Sequence, residues 1–137
     1  MKRLLVSGLA PALAVALIAG NLSQAADKSG PQLAHVVYFT LKDHSTEARE
    51  QLVASCQKYL NGHEGAVWFS VGTIAEDVDE PPVSVRDFDV AINVVFRDKA
   101  AKEAYLVNPR HKEFVAKNKD VWSKVRVFDS YLVSSSK

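Results

Sequence analysis

Four histidines stand in the chain, and two of them sit where an imidazole has chemical options. Imidazole ionises near neutral pH and can take a proton from carbon beside a carbonyl, so a histidine against an apolar wall is a candidate general base. His111 follows an Asn108-Pro109 step, six residues after Tyr105, whose phenol can donate a hydrogen bond to a developing enolate oxygen. On an unbroken helix that spacing sends the two side chains to different faces, so the pair meets only if the chain re-aims at Asn108-Pro109. His35 lies in an apolar run and shares one face of it with Val37, Phe39 and Leu41, where it either finds a partner in the core or lines a cavity. His44 and His63 fall in turn segments and are expected to face solvent.

Other chemistries find less support. No two histidines stand four apart on a helix, so no metal site is expected. Gly62, Gly65 and Gly72 form no phosphate-cradling run, and neither a Gly-x-Ser-x-Gly element nor a Cys/His nucleophile pair occurs. Nucleotide-dependent and acyl-transfer reactions therefore fit poorly, and no bound cofactor is expected. The acidic stretch with Glu76, Asp77, Asp79 and Glu80 lacks the turn-making glycine of a calcium loop and runs into Pro81-Pro82, which makes it a solvated connection. Cys56, the single cysteine, lies at helical spacing from Leu52 and Ala48 and belongs in the core.

The 137 residues, 47% hydrophobic and 24% charged, describe one globular domain and exclude a disordered or disulfide-stapled chain. The first 25 residues hold two of the 17 basic and none of the 16 acidic residues, which leaves the remainder one negative charge net. That balance lacks the electrostatic footprint of a nucleic-acid or anionic-membrane partner, so neither is expected. Met1-Lys2-Arg3, an apolar stretch over 4–19 and Ser23-Gln24-Ala25 have the form of a secretory signal peptide cut after Ala25. The stretch contains Gly8 and Pro11 and falls short of the roughly 20 apolar residues a membrane span needs. The mature protein is therefore expected in the periplasm or outside the cell. Residues 26–32 should form a flexible lead-in, 33–133 the domain and 134–137 a frayed tail.

The elements that must position the candidate residues alternate in type. Residues 33–41 form a strand rich in Val, Tyr and Phe. Ser45 caps a helix whose apolar stripe is Ala48, Leu52, Cys56, Tyr59 and Leu60, ending near Asn61-Gly62. A strand over 66–73 puts Trp68 and Ser70 on one side and Val67, Phe69 and Val71 on the other. The connection over 74–87 leads to a strand over 88–97 with Phe88, Val90, Ile92, Val94 and Phe96 on one face. Asp98 caps a helix through Val107 that carries Ala101, Ala104 and Tyr105 inward, and a short helix runs from Pro109 to about Lys119. The last strand lies within 121–133. This order is the α+β, ferredoxin-like βαββαβ arrangement with an antiparallel sheet and strands one and three at its centre. Two helices shelter one sheet face, and the opposite face is also apolar, where each wet side chain forfeits about 1.5–3 kcal/mol relative to burial. A second copy presenting the same face removes that loss, so a homodimer is expected.

Several segments together resemble the stress-responsive α/β-barrel (Dabb) domain family. They are His35-Val36-Val37-Tyr38-Phe39, the Phe88-Asp89-Val90-Ala91 strand ending in Phe96, Tyr105-Leu106-Val107-Asn108-Pro109-Arg110-His111, and Val127-Phe128-Asp129. The Tyr-x3-Pro-x-His element is the most specific, and the resemblance spans 33–132. It implies a dimeric α/β barrel. Most members have no assigned reaction, while a few plant relatives cyclise polyketides by intramolecular aldol condensation using a histidine and a tyrosine. Tyr105 and His111 match those two residues, His35 matches the pocket histidine of their first strand, and Val90 stands where they carry a further histidine. Two readings follow. One is an exported homodimeric stress-response or small hydrophobic ligand-binding module, with an apolar pocket between sheet and helices. The alternative is a cofactor-independent lyase, cyclase or monooxygenase acting on a small carbonyl or phenolic compound, with His111 as base.

Overall fold

A computed structural model describes residues 30–78 and 80–133. The segment read as a signal peptide, the start of the lead-in, Asp79 and the tail over 134–137 lie outside the described residues. The elements are β1 (Leu33–Leu41), α1 (Thr46–Leu60), β2 (Ala66–Thr73), β3 (Val90–Phe96), α2 (Lys99–Val107), α3 (Pro109–Asn118) and β4 (Trp122–Tyr131). The strands form one antiparallel sheet in the order β2-β3-β1-β4, with the two most apolar strands at its centre. Side chains alternate along a strand, so Leu33, His35, Val37, Phe39 and Leu41 of β1 face the helices together with Val90, Ile92, Val94 and Phe96 of β3. Leu52, Cys56 and Leu60 of α1, Tyr105 of α2 and Phe114 of α3 close over them to make the core.

Local chemistry sets the helix starts. Ser45 Oγ accepts from the Ala48 amide at 3.2 Å, Asp98 Oδ1 from the Ala101 amide at 2.7 Å and Asn108 Oδ1 from the Arg110 amide at 2.9 Å. The turn after α1 uses Gly62 and Gly65 at φ of 70° and 80°. At Gly65 a Cβ would also stand 2.5 Å from that of Ala101, so this turn can press against α2 only with glycine there.

Four details depart from the sequence reading. The third strand begins at Val90 rather than at residue 88. The Asp89 carboxylate turns inward, and Phe88 goes to the opposite sheet face, its ring edge-on to Tyr38 at 4.9 Å. A register shift between Ala66 and Trp68 leaves Val67 half exposed instead of packed beside Phe69. Ala104 is exposed, because α2 turns only Ala101 and Tyr105 into the core. His63 is buried, not solvent-facing.

The face opposite the helices presents Ala34, Val36, Tyr38, Ala91 and Val95 at its centre, with Trp68 and Phe128 more than half exposed at its two edges. Asn93 interrupts it in the middle, and Asp87 pins Lys124 and Arg126 at one corner, at 3.2 and 2.7 Å. The helices do not shelter β4, whose Val125, Val127 and Tyr131 remain exposed on the helix side.

Asp89 is 1% exposed and joins three segments at the end of the sheet. It accepts from the Leu41 amide at 2.7 Å and from Arg49 Nε at 3.0 Å, and His44 Nδ1 lies 3.0 Å away. Arg49 also reaches Glu76 at 2.6 Å and so fastens the long connection. Burial works to raise the Asp89 carboxyl, but the bonds from Leu41, His44 and Arg49 outweigh it and hold the group below the usual carboxylate range. Its contribution to stability is thus complete above about pH 4 and is lost as pH falls through the lower folded-state value. In urea denaturation at pH 7, Asp89→Ala is expected to cost about 1–3 kcal/mol for each donor it leaves without an acceptor, the Leu41 amide and Arg49 Nε. Asp89→Asn should lack part of the acid-induced loss seen in the native protein, and identical acid curves for the two would contradict this assignment.

Candidate functional site

The Asn108-Pro109 step performs the re-aiming that the spacing demands. Asn108 leaves the helical region at φ −62°, ψ 136°, and Pro109 opens α3 in a new direction. The Tyr105 and His111 rings consequently meet with centroids 4.6 Å apart. The joint is fastened from outside by Arg110, which donates to the carbonyls of Lys58 and Asn61 at 3.1 and 2.7 Å and so ties the start of α3 to the end of α1.

His35 projects from β1 towards the same phenol, 6.0 Å between centroids in an edge-on arrangement. The β1–β4 register sets Asp129 directly across from it, and His35 Nδ1–H donates to Asp129 Oδ1 at 2.6 Å. In the neutral ring that bond leaves Nε2 as an acceptor. Lys102 of α2 reaches the other carboxylate oxygen at 3.0 Å. Burial pushes the Asp129 carboxyl up, yet the bonds from His35 and Lys102 prevail and keep it below the ordinary range.

The fourth participant is His63. Its ring stands nearly perpendicular to Tyr105 at 4.8 Å, and its Nε2–H donates to the Tyr59 carbonyl at 2.8 Å. Burial lowers its ionisation, with Arg110 acting in the same direction and the Tyr59 bond opposing. His111 is lowered as well, by burial first and then by its neighbours His35 and His63, against a bond to the Leu106 carbonyl. Burial raises the Tyr105 phenol, which therefore stays protonated, and the Cys56 thiol beneath it is pushed up to about 12. Among the described residues the Tyr105 hydroxyl makes no hydrogen bond.

The structure thus gathers all three candidates, Tyr105, His111 and His35, at one point. It adds His63, Asp129 and Lys102. The expected open pocket between sheet and helices is instead occupied by packed side chains, since Tyr105 and Phe114 are each 2% exposed and Phe96 is fully buried. Half-buried His111 gives the cluster its opening. A cleft of about 230 Å³ lies beside it, lined by Leu33, Lys99, Lys102, Asp129 and Tyr131. A larger one of about 430 Å³ lies on the other sheet face between Tyr38, Phe88, Arg126 and Phe128. Among the described residues no three His, Cys, Asp or Glu side chains are placed to share a metal ion, and no helix is long and apolar enough to cross a membrane.

Sheet order and helix placement define a ferredoxin-like α+β protein. The family model for the stress responsive A/B barrel domain, Dabb, matches residues 33–132, and the chain belongs to that family. A Dabb family protein with a ferredoxin-like fold from Mesorhizobium loti superposes with TM-score 0.64 at 22% identity, covering 77% of this chain and 100% of that one. A dimeric ferredoxin-like protein from Thermobifida fusca gives TM-score 0.63 at 15% identity, with coverage of 75% and 92%. The hydroxynitrile lyase of Passiflora edulis gives 0.61 at 19% identity, with coverage of 78% and 98%. These likenesses establish the fold. A comparison with curated proteins finds no match.

The site makes a direct spectroscopic prediction. In ring-nitrogen NMR at neutral pH, His63 is expected as the Nε2–H tautomer, and His35 Nδ1 is expected to carry a proton held by Asp129. His63 and His111 should titrate below the ordinary imidazole value of about 6.5. Because their folded values are lowered, the unfolded chain binds more protons below that pH, and this part of the stability is lost on acidification. Titration of both rings at or above 6.5 would contradict the burial described.

Proposed function

We propose that the chain is an exported homodimeric Dabb protein that binds a small hydrophobic carbonyl or phenolic compound at the Tyr105–His111–His35 cluster. The observation that carries this reading is the 4.6 Å approach of Tyr105 and His111 across the Asn108-Pro109 break. A helix interruption costs backbone hydrogen bonds, and here it joins a protonated phenol to an imidazole kept neutral. The signal-peptide pattern of residues 1–25 supports export to the periplasm or beyond. The unsheltered sheet face, with Trp68, Tyr38 and Phe128, supports pairing with a second copy, as does the dimeric state of the Thermobifida fusca relative.

A second reading, catalysis by proton transfer, is favoured by the same pair. A neutral His111 can remove a proton and Tyr105 can donate to the oxygen on which charge develops, which suffices for a cofactor-independent lyase or cyclase. The hydroxynitrile lyase among the fold relatives makes 2-hydroxynitrile cleavage the first reaction to assay.

With 4-nitrophenol as probe, His111→Ala is expected to weaken binding at least about tenfold, some 1.4 kcal/mol, while circular dichroism and dimer mass stay unchanged. Unchanged affinity, or a change in stability alone, would leave His111 a packing residue. Separately, Phe128→Glu should convert the protein to a monomer in light scattering at micromolar concentration. A wild-type protein that is itself monomeric there would overturn the dimer.

A further inference from the structure

The sheet face away from the helices carries its bulk unevenly. The strand registers align Phe128 of β4 with Val36 of β1, Asn93 of β3 and Ser70 of β2, and in the next row Arg126 with Tyr38, Ala91 and Gly72. On the β1–β4 half the large groups brace one another. Tyr38 stands edge-on to Phe88 at 4.9 Å and to Phe128 at 5.9 Å, and the Arg126 guanidinium lies over the Tyr38 ring at 5.9 Å. In those two rows the β2–β3 half holds only Ser70, Gly72, Asn93 and Ala91, and a Cβ on Gly72 would meet no atom within 4 Å. One row further towards the start of β1 the order reverses, with Trp68 large on β2 and Ala34 and Ser130 small on β1 and β4. Charge divides along the same line. Lys124 and Arg126 lie on β4, paired with Asp87, while β2 and β3 present no charged side chain to this face.

A second copy can meet this face about either of two axes lying between the sheets. An axis running across the strands lays each strand over its own counterpart, so ridge meets ridge and the two basic β4 strands come together. An axis running along the strands, between β1 and β3, exchanges the two halves. Phe128 then lies over the partner's Ser70, Tyr38 over the partner's Ala91, Arg126 over the partner's Gly72 and Trp68 over the partner's Ser130. We propose that the homodimer is built on this second axis, with the aromatic ridge of each copy seated in the small-residue hollow of the other. The inference rests on the pairing of copies proposed above and supplies its geometry. Large and small positions that exchange under one rotation give the close packing an interface core needs, and the uncharged β2–β3 half receives the basic strand without like charges opposed. The same rotation preserves strand direction, so edge strand β2 comes beside the partner's antiparallel edge strand β4, and the open edges of the two sheets cover one another.

In the full chain, Ser70→Phe should set two large groups against each other and raise the dimer dissociation constant at least about tenfold, read by light scattering across a dilution series. Adding Phe128→Ser should restore the dimer, because the bulk has only changed sides. Independently, the Ser70→Cys/Phe128→Cys double variant should give a covalent dimer on mild oxidation, and neither single variant should. Within one chain the two positions lie three strand spacings apart, roughly 14 Å, too far for a disulfide. Cys56 does not compete, being fully buried with its thiol pushed up to about 12. Circular dichroism checks that each variant folds, and the cysteine pair decides if Ser70→Phe does not. Rescue by Phe128→Ser, or a covalent dimer confined to the double cysteine variant, supports the arrangement. A dimeric wild-type protein with neither result, or a covalent dimer from Ser70→Cys alone, overturns the inference and leaves the dimer itself intact. A monomeric wild-type protein overturns the dimer and this inference with it, and leaves the face to a partner of different sequence.

Discussion

Proline has no amide hydrogen and crowds the residue before it out of the helical region, and at Pro109 those two facts decide where the chemistry can be. Had α2 continued, His111 would have followed the helix axis away from Tyr105. Instead Asn108 turns, caps α3 with its side chain and sends the next helix back across the phenol. Arg110 then uses the unsatisfied carbonyls at the end of α1 as its anchor, so the interruption of one helix is secured by the terminus of another. The positions of His111 and His63 relative to Tyr105 both depend on this joint.

The rest of the fold separates two jobs along the sheet. At one end a buried carboxylate, Asp89, gathers Leu41, His44 and Arg49, and through Arg49 and Glu76 it fastens the long connection. At the other end Asp129, with His35 and Lys102, orients an imidazole towards a phenol. Both carboxylates are held ionised by the donors around them, but Asp89 is wholly buried in structure-bearing bonds while Asp129 stands at a cleft. The apolar sheet face away from the helices serves neither end, and it leaves Trp68 and Phe128 more than half exposed.

Much of this was legible in the residues, for stated reasons. Alternation in residues 33–41 put His35 on the core face, three- and four-residue spacing buried Cys56, and Asn108-Pro109 announced the break. The Tyr-x3-Pro-x-His element pointed to the family whose model matches the chain. What escaped were contacts made by distant partners. His63 sits among turn residues, and only Gly65, with its left-handed backbone pressed onto Ala101, shows that this turn folds beneath α2. Asp129 and Lys102 meet His35 through the β1–β4 register and the reach of α2, neither of which periodicity can supply. Phe88 continues the alternation of its strand, yet Asp89 finds three donors inside, and that preference turns Phe88 to the other face. The spacing of apolar residues likewise cannot distinguish a packed interior from an open pocket.

The central claim is that a broken helix brings one phenol against two imidazoles, and a nuclear Overhauser measurement on the purified protein tests it most directly. With ring centroids at 4.6 and 4.8 Å, the Tyr105 ring protons are expected to show strong cross-peaks to the ring protons of both His111 and His63. Strong Tyr105–Phe96 cross-peaks with none to either histidine would show that the joint does not close, and the account of the site would fail.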